Sequence, residues 1–367
     1  MKTDLSQLYK LCYEMLLKFG ASENDAADTA YMMNEADRRG VDTHGCARMP
    51  MLTNMIIDKK INLAPVIKHV SESDSFLYLD ADHGIGFAAG AYAVRKTIEK
   101  AKKTGFCVTS VKNSGFWGAS GSYAAEFAKS NLFGVAASNT GATIMPFGGT
   151  SPVFGNAPFS IAFPGTKKYP FPIMFDMATS NIAFGKLQMA VREKHDTIPD
   201  DWVLSRRNGR PITDTMEAFS AIIDNTGSIA VFGGVKGYCI TAMEEILCSV
   251  LSGAGLPKDN GQEVTVSGNS KPENSGLFLM AFDISRIRPL EEIEESMDAL
   301  LDEVKNQRPA DGAGEVLIPG ELEYKYSLKR SKEPFEILDQ TANELLTVAK
   351  NCGYVDAQAT ASELFEK

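Results

Sequence analysis

The spacing of apolar residues changes twice along this chain of 367 residues, and the change limits the possible folds more than any other feature. In the N-terminal part, apolar residues recur at helical spacing over 5–19 and again from Ser22, a residue type that favours helix starts. Gly20 and Gly40 follow these two segments, as glycine commonly does at the end of a helix. A third helix is expected over about 47–59. The chain therefore begins as a helical region.

From residue 75 the chain carries short β-rich runs separated by Gly, Pro, Asn and Ser. The runs are SFLYLD, FCVTSV, GVAAS, FSIAF and IMFDM, and helices are expected between or after them at about 87–103, 119–130, 181–193 and 240–252. After FLMAFDIS the pattern is helical again, at 289–307 and in a last segment that ends on Gly353. We therefore predict an α/β (α+β) fold, with a discontinuous helical domain of residues 1–72 and 289–367 and a sheet domain of residues 73–288 covered by helices.

The composition argues against several classes of partner and site. The formal net charge is −10 and the acidic residues are spread along the chain, so no basic stripe is present to neutralise nucleic-acid phosphates. No apolar run reaches the roughly 18 residues of a membrane span, and the charged N-terminus is unlike a signal peptide. Six cysteines without a CxxC pair and four histidines without an HxxxH pair predict no metal site. We expect a cytoplasmic protein with reduced thiols, no nucleic-acid partner and no membrane contact.

Two glycine-rich turns are similar to sites for phosphate groups. GIGFAAG at 84–90 follows a strand and opens a helix, but it reads GxGxxxG, and the next strand ends without the acidic residue that would hold a ribose. We therefore expect structural glycines there rather than a conventional Rossmann site. At 113–128, NSGFWGASGSYAAEFA also leads from a strand into a helix. Its backbone amides suit a phosphate and its small residues suit close packing of helix on strand, so both interpretations stay open.

Two charged residues lie in positions where sheet proteins often carry functional side chains. Asp176 ends the strand of FDMATS, where it is either a site residue or a turn or capping residue, and Ser180 is positioned to cap the following helix. Lys236 lies among the glycines of GGVKGY, where it is able to meet an anionic ligand or to remain solvated, as most lysines are. Neither charged residue identifies a function alone.

The stretch VDTHGCARMP, at 41–50, carries the clearest chemical pattern. His44 alone would be an ordinary loop histidine. Arg48 lies four residues later, in the first turn of the expected third helix, so both side chains are able to face one cavity. A guanidinium binds a carboxylate through two hydrogen bonds, and an imidazole exchanges a proton with a neighbouring oxygen. The pair therefore suits a 2-hydroxy or 2-oxo acid.

Several of these motifs occur together, in this order, in one known family. THGCARMP resembles SHGxxRxP, NSGFWGASGSYA resembles NSxHFGxxGxYA, and MPFGGTSPVFGNAP resembles PxGGxxxxxGTNP. FDMATS, IPDDWVLSRRNGRPITD, GGVKGY, EILCSVLSGAG and IPGELE continue the match over nearly the whole chain. The chain resembles the malate/L-lactate dehydrogenase family of the non-Rossmann type, which also includes ureidoglycolate and sulfolactate dehydrogenases, diketogulonate reductase and piperideine-2-carboxylate reductase.

The resemblance implies a non-Rossmann cofactor-binding domain with a mixed, largely antiparallel sheet, an all-α domain from both chain ends, and a homodimer. It implies that His44 is the proton donor and acceptor, that Arg48 contacts the substrate carboxylate, and that Asp176 orients the histidine or stabilises its charged form. The resemblance also implies an NAD or NADP site lined by Thr140, Asp176, Met177, Ala178, Lys236, Gly320 and Glu321.

One position departs from the family pattern in a way that bears on activity. Phe116 stands where NSxHFG has histidine, which in some members is assigned the acid/base role. Because a phenyl ring carries no exchangeable proton, an active enzyme must use His44, with Phe116 altering the pocket. A catalytically silent homologue that binds the dinucleotide is the alternative. Thr43 in place of serine and GNAP in place of GTNP are smaller changes.

We predict an NAD(P)-dependent oxidoreductase that transfers a hydride between the nicotinamide and C2 of a small 2-hydroxy/2-oxo acid, with malate/oxaloacetate as the leading pair. A reductase of cyclic imines, such as piperideine- or pyrroline-2-carboxylate, is the alternative within the enzyme class. The choice between NAD and NADP stays open, because no residue that reads the ribose can be located without the fold.

Overall fold

The computed structural model describes residues 1–260 and 272–365. The helices are α1 (Leu5–Lys18), α2 (Glu23–Arg38), α3 (Met49–Ile57), α4 (Gly86–Thr104), α5 (Ser120–Lys129), α6 (Phe184–Arg192), α7 (Thr215–Ile223), α8 (Val235–Glu245), α9 (Leu290–Lys305), α10 (Glu321–Arg330), α11 (Asp339–Asn351) and α12 (Ala361–Leu364). The strands are β1 (Lys2–Thr3), β2 (Lys68–Glu72), β3 (Phe76–Asp80), β4 (Phe106–Ser114), β5 (Leu132–Ser138), β6 (Pro158–Phe163), β7 (Ile173–Ala178), β8 (Val203–Ser205), β9 (Gly227–Ile229), β10 (Ser275–Asp283) and β11 (Phe335–Glu336). Within these described ranges, no helix has the length and apolar character needed to cross a bilayer.

Seven strands form one sheet in the order β2-β3-β4-β10-β5-β6-β7. β3 and β4 pair in parallel, joined by the crossover helix α4, and the other neighbouring pairs of this sheet are antiparallel. The predicted mixed, largely antiparallel sheet with covering helices is therefore confirmed. Because a Rossmann sheet is built mostly from parallel strands, this strand order also agrees with the rejection of a Rossmann site at the GIGFAAG turn.

A side-chain cap and two left-handed glycines set the ends of the N-terminal helices. Ser22 Oγ accepts the N–H of Asp25 at 3.1 Å, so this serine caps α2 as predicted. Gly20 and Gly40, which follow α1 and α2, have φ angles of 96° and 78°, in a backbone region that residues with a Cβ rarely adopt. Glycine therefore ends both helices without strain.

The third helix begins later than the sequence predicted. The expected range was 47–59, but α3 starts at Met49 and two short 3₁₀ turns, Asp42–His44 and Cys46–Arg48, precede it. Helical periodicity continues through a 3₁₀ turn, so the sequence pattern did not separate the turns from the helix. Arg48 therefore ends a 3₁₀ turn instead of lying in the first turn of an α-helix.

Two further helices differ from their predicted ends. The helix expected at 181–193 is α6, and its N-cap is Ala183 rather than Ser180, which lies in an isolated β-bridge. The helix expected at 240–252 is α8, which starts earlier, directly after the glycines of GGVKGY, and continues as one π-helical turn over Ile246–Val250. In both cases tertiary contacts of the preceding loop, which the sequence does not show, set the helix start.

One hydrophobic core joins helices from both chain ends to the sheet. Buried side chains of α1, α2, α3 and α11 pack with those of α4, α5 and the strands β3, β4, β5 and β10. Smaller clusters lie between α6 and α7 and around α9 and α10. The division into a helical domain of 1–72 and 289–367 and a sheet domain of 73–288 stays a prediction, and β2 lies within the sheet although it precedes residue 73.

One end of the sheet collects the segments that the sequence singled out. Ser114 at the end of β4 pairs with Ser275 at the start of β10, and Ser138 at the end of β5 lies beside that same part of β10. Ala178 at the end of β7 pairs with Pro158 at the start of β6. The segments that follow β4, β5 and β7 therefore emerge at one end of the sheet, which we call the site end.

The GIGFAAG turn opens α4, and its glycines allow close packing. A Cβ on Gly86 would lie 2.1 Å from the Gly115 carbonyl oxygen, and a Cβ on Gly90 would lie 2.7 Å from the ring of Tyr123. No side chain fits at either position without movement of the neighbour, which supports the structural interpretation of these glycines. The contact holds the start of α4 against the turn that follows β4, where Phe116 lies.

We predict that Gly86→Ala destabilises the protein, because the new methyl group would overlap backbone atoms that cannot rotate away. Overpacking of this kind typically costs about 1 to 3 kcal/mol in the free energy of unfolding, which denaturant titration measures. Gly185→Ala in α6 is the matched control: no atom lies within 4 Å of its Cβ position, so stability should hold or rise slightly. Equal stability of Gly86→Ala and the wild-type chain would contradict the close contact.

Candidate active site

His44, Arg48 and Phe116 come together at the site end. The rings of His44 and Phe116 stack with their centroids 6.3 Å apart. Arg48 Cζ lies 5.7 Å from the centroid of the same phenyl ring. Phe116 in turn packs edge-to-face on Phe87 of α4, with centroids 5.7 Å apart. The two polar side chains therefore share one apolar wall.

His44 is half-buried, and its environment keeps the imidazole neutral at pH 7. Burial, followed by the positive charge of Arg48, lowers the pKa of His44 to about 4. The Thr43 hydroxyl lies 2.9 Å from His44 Nδ1. When this hydroxyl accepts the Nδ1 proton, Nε2 keeps its lone pair and is free to act as a base. Thr43, in place of the family serine, retains the hydroxyl that this contact requires.

Arg48 is a cation that lacks an anionic partner in residues 1–260 and 272–365. Its Nε atom is buried without a hydrogen-bond partner in that part of the chain. Burial lowers the pKa of Arg48, and no carboxylate among the described residues opposes this effect. Leaving a guanidinium desolvated and unpaired costs free energy that a bound anion would recover. The site therefore offers a place for a carboxylate next to a proton carrier.

Asp37, which sequence reasoning missed, supports the 41–48 loop that carries this pair. The carboxylate is buried at the end of α2 and accepts the Cys46 N–H at 2.9 Å. It also fills the space beside Gly45, where a Cβ would lie 1.9 Å from Asp37 Oδ1. The loop therefore turns directly over the carboxylate, between His44 and Arg48.

Arg330 of α10 clamps the same loop from the C-terminal part of the chain. It donates to the main-chain carbonyl of Asp37 and to both carboxylate oxygens of Asp42. Its guanidinium also stacks over the ring of Phe335, with Cζ 4.3 Å from the centroid. No sequence signal marked this clamp, because Arg330 lies 293 residues from Asp37 and only the fold brings the two together.

The Asp176 carboxylate contacts the start of α5 and the neighbouring strand β6. Its carboxylate accepts the Ser160 hydroxyl at 2.5 Å and the Gly121 N–H. Although Asp176 lies on an exposed edge strand, protein atoms crowd the carboxylate, and this desolvation raises its pKa against the opposing effects of the two hydrogen bonds and of Arg39. Among the described residues no hydrogen bond joins Asp176 to His44, so the orienting role stays a prediction.

The same contact bears on the two interpretations of NSGFWGASGSYAAEFA at 113–128. The first N–H groups of α5 already face the carboxylate of Asp176, so a phosphate at this helix start would meet a like charge. Gly121 makes room for that carboxylate, and Gly118, with a φ of 83°, makes room for the ring of Phe87. Close packing therefore explains the small residues better than a phosphate site does.

Two of the predicted cofactor residues, Thr140 and Ala178, lie close together at the site end. The Thr140 hydroxyl donates to Asn156 Oδ1 at 2.9 Å. The Thr179 N–H, next to Ala178, donates to the Asn156 carbonyl at 2.9 Å. Met177 precedes Ala178 on β7, which is an edge strand of the sheet. One asparagine thus links the segment after β5 to the end of β7.

Lys236 lies in the first turn of α8, which begins beside these residues. The Phe232 N–H donates to the Thr179 carbonyl at 3.0 Å, and Gly233 and Gly234, with φ angles of 59° and 61°, then turn the chain into α8. The Lys236 side chain is exposed and forms no salt bridge with any described residue. An unpaired ammonium at a helix N-terminus suits an anionic ligand.

Gly320 and Glu321 lie beside the start of β7, the strand that also carries Asp176 and Met177. A Cβ on Gly320 would lie 2.3 Å from the Pro172 carbonyl oxygen, so this turn packs at the start of β7, the end opposite to Ala178. The Glu321 carboxylate accepts the Ile318 N–H at 2.9 Å and is paired with Lys305. Burial opposes ionisation of Glu321, but these donors outweigh it and lower the pKa. The Glu321 carboxylate is therefore already occupied by contacts within the protein.

The site as a whole combines an anion-binding cation, a neutral base and an apolar wall. These groups are able to hold a small carboxylic acid and to exchange one proton with it. In the part of the chain that the structure describes, no group of three His, Cys, Asp or Glu side chains is arranged to hold a metal ion.

Comparison with known proteins connects this geometry to one enzyme family. The family model described as malate/L-lactate dehydrogenase matches residues 3–346. An L-sulfolactate dehydrogenase of Methanocaldococcus jannaschii is 35% identical over 94% of this chain and 95% of its own length, and its solved structure superposes with a TM-score of 0.85. A malate dehydrogenase of Pyrococcus abyssi is 33% identical over 95% of this chain and 94% of its own. The structure of malate dehydrogenase from Entamoeba histolytica, 27% identical, gives a TM-score of 0.87 over 98% of this chain and 99% of that chain. The site with His44 and Arg48 thus lies in a chain that belongs to the malate/L-lactate dehydrogenase family of oxidoreductases.

Proposed function

We propose that this chain is an NAD(P)-dependent oxidoreductase that transfers a hydride between the nicotinamide and C2 of a small 2-hydroxy/2-oxo acid, with malate/oxaloacetate as the leading pair. The observation that carries the proposal is the half-buried Arg48, whose Nε has no hydrogen-bond partner among the described residues, beside the neutral imidazole of His44. A carboxylate next to a carbonyl or hydroxyl group is the smallest ligand that engages both side chains at once. The names of the relatives, with sulfolactate and malate, support the same substrate class.

The proposed cofactor is NAD or NADP. Relatives that are 27% and 26% identical to this chain carry NADP(+) and NAD(+) in their names. On this chain, the exposed ammonium of Lys236 at the start of α8, which forms no salt bridge within the described residues, fits a phosphate group. Thr140 and the Asp176–Ala178 segment lie at the same end of the sheet and are proposed to hold the nicotinamide. The Gly320–Glu321 turn is proposed to contribute through its backbone, because its carboxylate is already paired.

The residues of the chain position the acid and manage one proton. The bound cofactor supplies or accepts the hydride. Arg48 holds the carboxylate by two hydrogen bonds, which fixes the position of C2. In the oxidation of a hydroxy acid, His44 Nε2 accepts the hydroxyl proton, and in the reduction of an oxo acid it returns a proton to the carbonyl oxygen.

The proton on His44 is coupled to the ligand on Arg48. Without a ligand, a pKa of about 4 keeps the ring neutral at pH 7, which is the state that accepts a proton from a hydroxy acid. A carboxylate bound to Arg48 offsets the cation that contributes to this low pKa. Either acid, bound through its carboxylate, therefore raises the pKa of His44 above that of the unliganded site, and a protonated ring supplies the proton that reduction of an oxo acid requires.

A cyclic imine reductase is the second candidate, and Phe116 is the observation that favours it. The phenyl ring presents an apolar face beside both His44 and Arg48, where a ring substrate such as piperideine-2-carboxylate would pack. Arg48 would hold the carboxylate in the same way, and His44 would protonate the ring or a water molecule.

A panel of 2-oxo acids and cyclic imines, assayed by oxidation of NADH and of NADPH, tests the proposed function. Turnover highest with oxaloacetate or another small 2-oxo acid would support it and would assign the preferred cofactor. Higher activity with piperideine-2-carboxylate than with oxaloacetate would favour the imine reductase. Tight NADH binding without turnover of any compound would overturn the proposed activity and indicate a silent homologue.

We predict that Arg48→Lys raises KM for the oxo acid strongly and leaves the affinity for NADH almost unchanged. An ammonium group cannot reproduce the two-pronged contact of a guanidinium with a carboxylate. Steady-state kinetics gives KM, and NADH fluorescence titration gives the cofactor affinity. If KM stays constant while cofactor affinity collapses, Arg48 belongs to the dinucleotide site and the substrate carboxylate binds elsewhere.

We predict that Phe116 selects substrates and carries no proton. Phe116→Leu should keep a substantial fraction of kcat, because an apolar wall of similar character remains. Phe116→His should change the order of preference among the oxo acids, since it places a polar ring against Arg48. The same acid panel measures both effects. If the wild-type chain is inactive and Phe116→His gains turnover, the chain is a silenced homologue.

A homodimer is proposed from an exposed apolar stripe on α8 and the π turn after it. Ile240, Met243, Ile246 and Val250 are spaced by three or four residues and are each between 41% and 63% exposed. Such a spacing places the four side chains on one face of a helix. A contiguous apolar face of this kind commonly marks a contact with another protein, and a second copy of the chain is the proposed partner.

We predict that Met243→Glu converts the dimer to a monomer, because it buries an unpaired charge in the contact. Size-exclusion chromatography with light scattering measures the mass. Met189→Glu, at a methionine of similar exposure on α6, is the control and should leave the mass unchanged. A monomeric wild-type chain would rule out the dimer at this face.

The cytoplasm is the proposed compartment, and small acids together with the cofactor are the proposed partners. The six cysteines are all free thiols, four of them buried, as is usual where glutathione keeps thiols reduced. The chain carries a net charge of −10, which gives it no attraction for nucleic acid.

A further inference from the structure

We propose that Asp37 is the positioning residue that sets His44 and Arg48 in their places beside Phe116, by holding the 41–48 loop from beneath. The reaction named here is the proposed function, on which this inference rests. The contact itself rests on the geometry of the loop.

The Asp37 carboxylate lies under the point where the loop changes direction. Its Oδ2 accepts the N–H of Cys46, the first residue of the 3₁₀ turn that ends at Arg48. His44 is the last residue of the preceding 3₁₀ turn, on the other side of Gly45. One acceptor therefore fixes the junction between the turn that carries the base and the turn that carries the cation.

Gly45 provides a second observation that points to the same contact. A Cβ at this position would lie 1.9 Å from Asp37 Oδ1 and 2.6 Å from Asp37 Oδ2. The carboxylate thus occupies the volume that any larger residue would need. The close approach of Gly45 to Asp37 therefore fixes the position of the backbone next to His44 relative to α2.

Asp37 holds the loop as a carboxylate although its surroundings disfavour charge. It is 2% exposed, and burial raises its pKa to about 7, against the opposing effect of the Cys46 N–H. The titratable and charged groups that face it are Cys12 of α1, Asp42 and Cys46 of the loop, and Arg330 of α10. Arg330 is the cation of this set and bonds to the main-chain carbonyl of Asp37 rather than to its carboxylate.

The test removes the contact from each side and measures the titration of His44 by NMR. In the wild-type chain this imidazole should titrate near 4. In Asp37→Ala and in Gly45→Ala the loop loses its support, so the ring moves into water and its pKa should rise toward the ordinary 6.5. This readout needs no substrate, and it therefore separates the positioning role from the proposed reaction.

Kinetics with the best acid of the panel provides the second readout. A displacement of reacting groups by about 1 Å typically costs on the order of 100-fold in rate, so each single variant should lose about that factor in kcat/KM. In the Asp37→Ala background, Gly45→Ala should cost little more, because the carboxylate that it would strike is gone. Asn34→Ala is the control, since this buried residue of α2 bonds to the Leu5 carbonyl, away from the loop.

Asp37→Asn separates charge from shape and remains useful if Asp37→Ala does not fold. Its amide oxygen still accepts the Cys46 N–H, but a neutral acceptor holds that N–H less strongly than a carboxylate does. In the wild-type chain, kcat/KM should fall as pH decreases through about 7, because Asp37 becomes protonated and its bond to Cys46 weakens. Asp37→Asn should lack this decline near pH 7.

The outcomes are distinct. A raised pKa of His44 together with the 100-fold loss and the non-additive double variant would support the positioning role. An unchanged titration of His44 in both Asp37→Ala and Gly45→Ala would overturn it, whatever the kinetics show. Absence of turnover in the wild-type chain would overturn the proposed function alone, and the titration of His44 would still decide whether Asp37 positions the ring.

Discussion

A buried guanidinium Nε that has no hydrogen-bond partner in the described part of the chain is the constraint from which the other features of the site follow. Arg48 Nε is buried against Phe116 with no acceptor in the described residues, and a fold tolerates such a group where a ligand completes it. The same cation contributes to the low pKa of His44, so the anion that satisfies Arg48 also changes the state of the base. The proposed binding of an acid and the proposed transfer of its proton therefore both depend on one electrostatic arrangement.

The last turn of α2 connects the two sides of this arrangement. Asp37 supports the loop that carries the proposed acid-binding pair, and Arg39 donates to the Gly121 carbonyl at 2.6 Å, beside Asp176 on the proposed cofactor side. Glu35, one turn earlier, is buried and paired with Arg39, which fixes that side chain. The C-terminal end of α2 thus contacts both the proposed substrate side and the proposed nicotinamide side. A rigid helix end fixes the relative position of the two sides, which hydride transfer over a short distance requires.

Most of the helices and strands could be predicted from the sequence. The geometry of the site could be predicted less well. Helical spacing and β-rich runs located the helices and strands because they depend on local patterns, and the four-residue spacing of His44 and Arg48 indicated a shared site. The contacts that support that site could not be predicted, because they join residues that are far apart in the sequence. Arg330 contacts Asp37 across 293 residues, and Asp176 contacts Gly121 only because the fold brings them together. Asp176 shows this limit most clearly: the sequence left it either as a site residue or as a turn or capping residue, and its contacts with Ser160 and Gly121 depend on the fold.

A crystal structure with NADH and oxamate, a 2-oxo acid analogue whose amide resists hydride transfer, tests the central claim most directly. We expect the oxamate carboxylate to bond to the guanidinium of Arg48 at about 3 Å, and its carbonyl oxygen to lie within hydrogen-bond distance of His44 Nε2. We also expect the amide group to lie against the ring of Phe116. Oxamate bound elsewhere, with Arg48 still unpaired and His44 turned away from the ligand, would contradict the account.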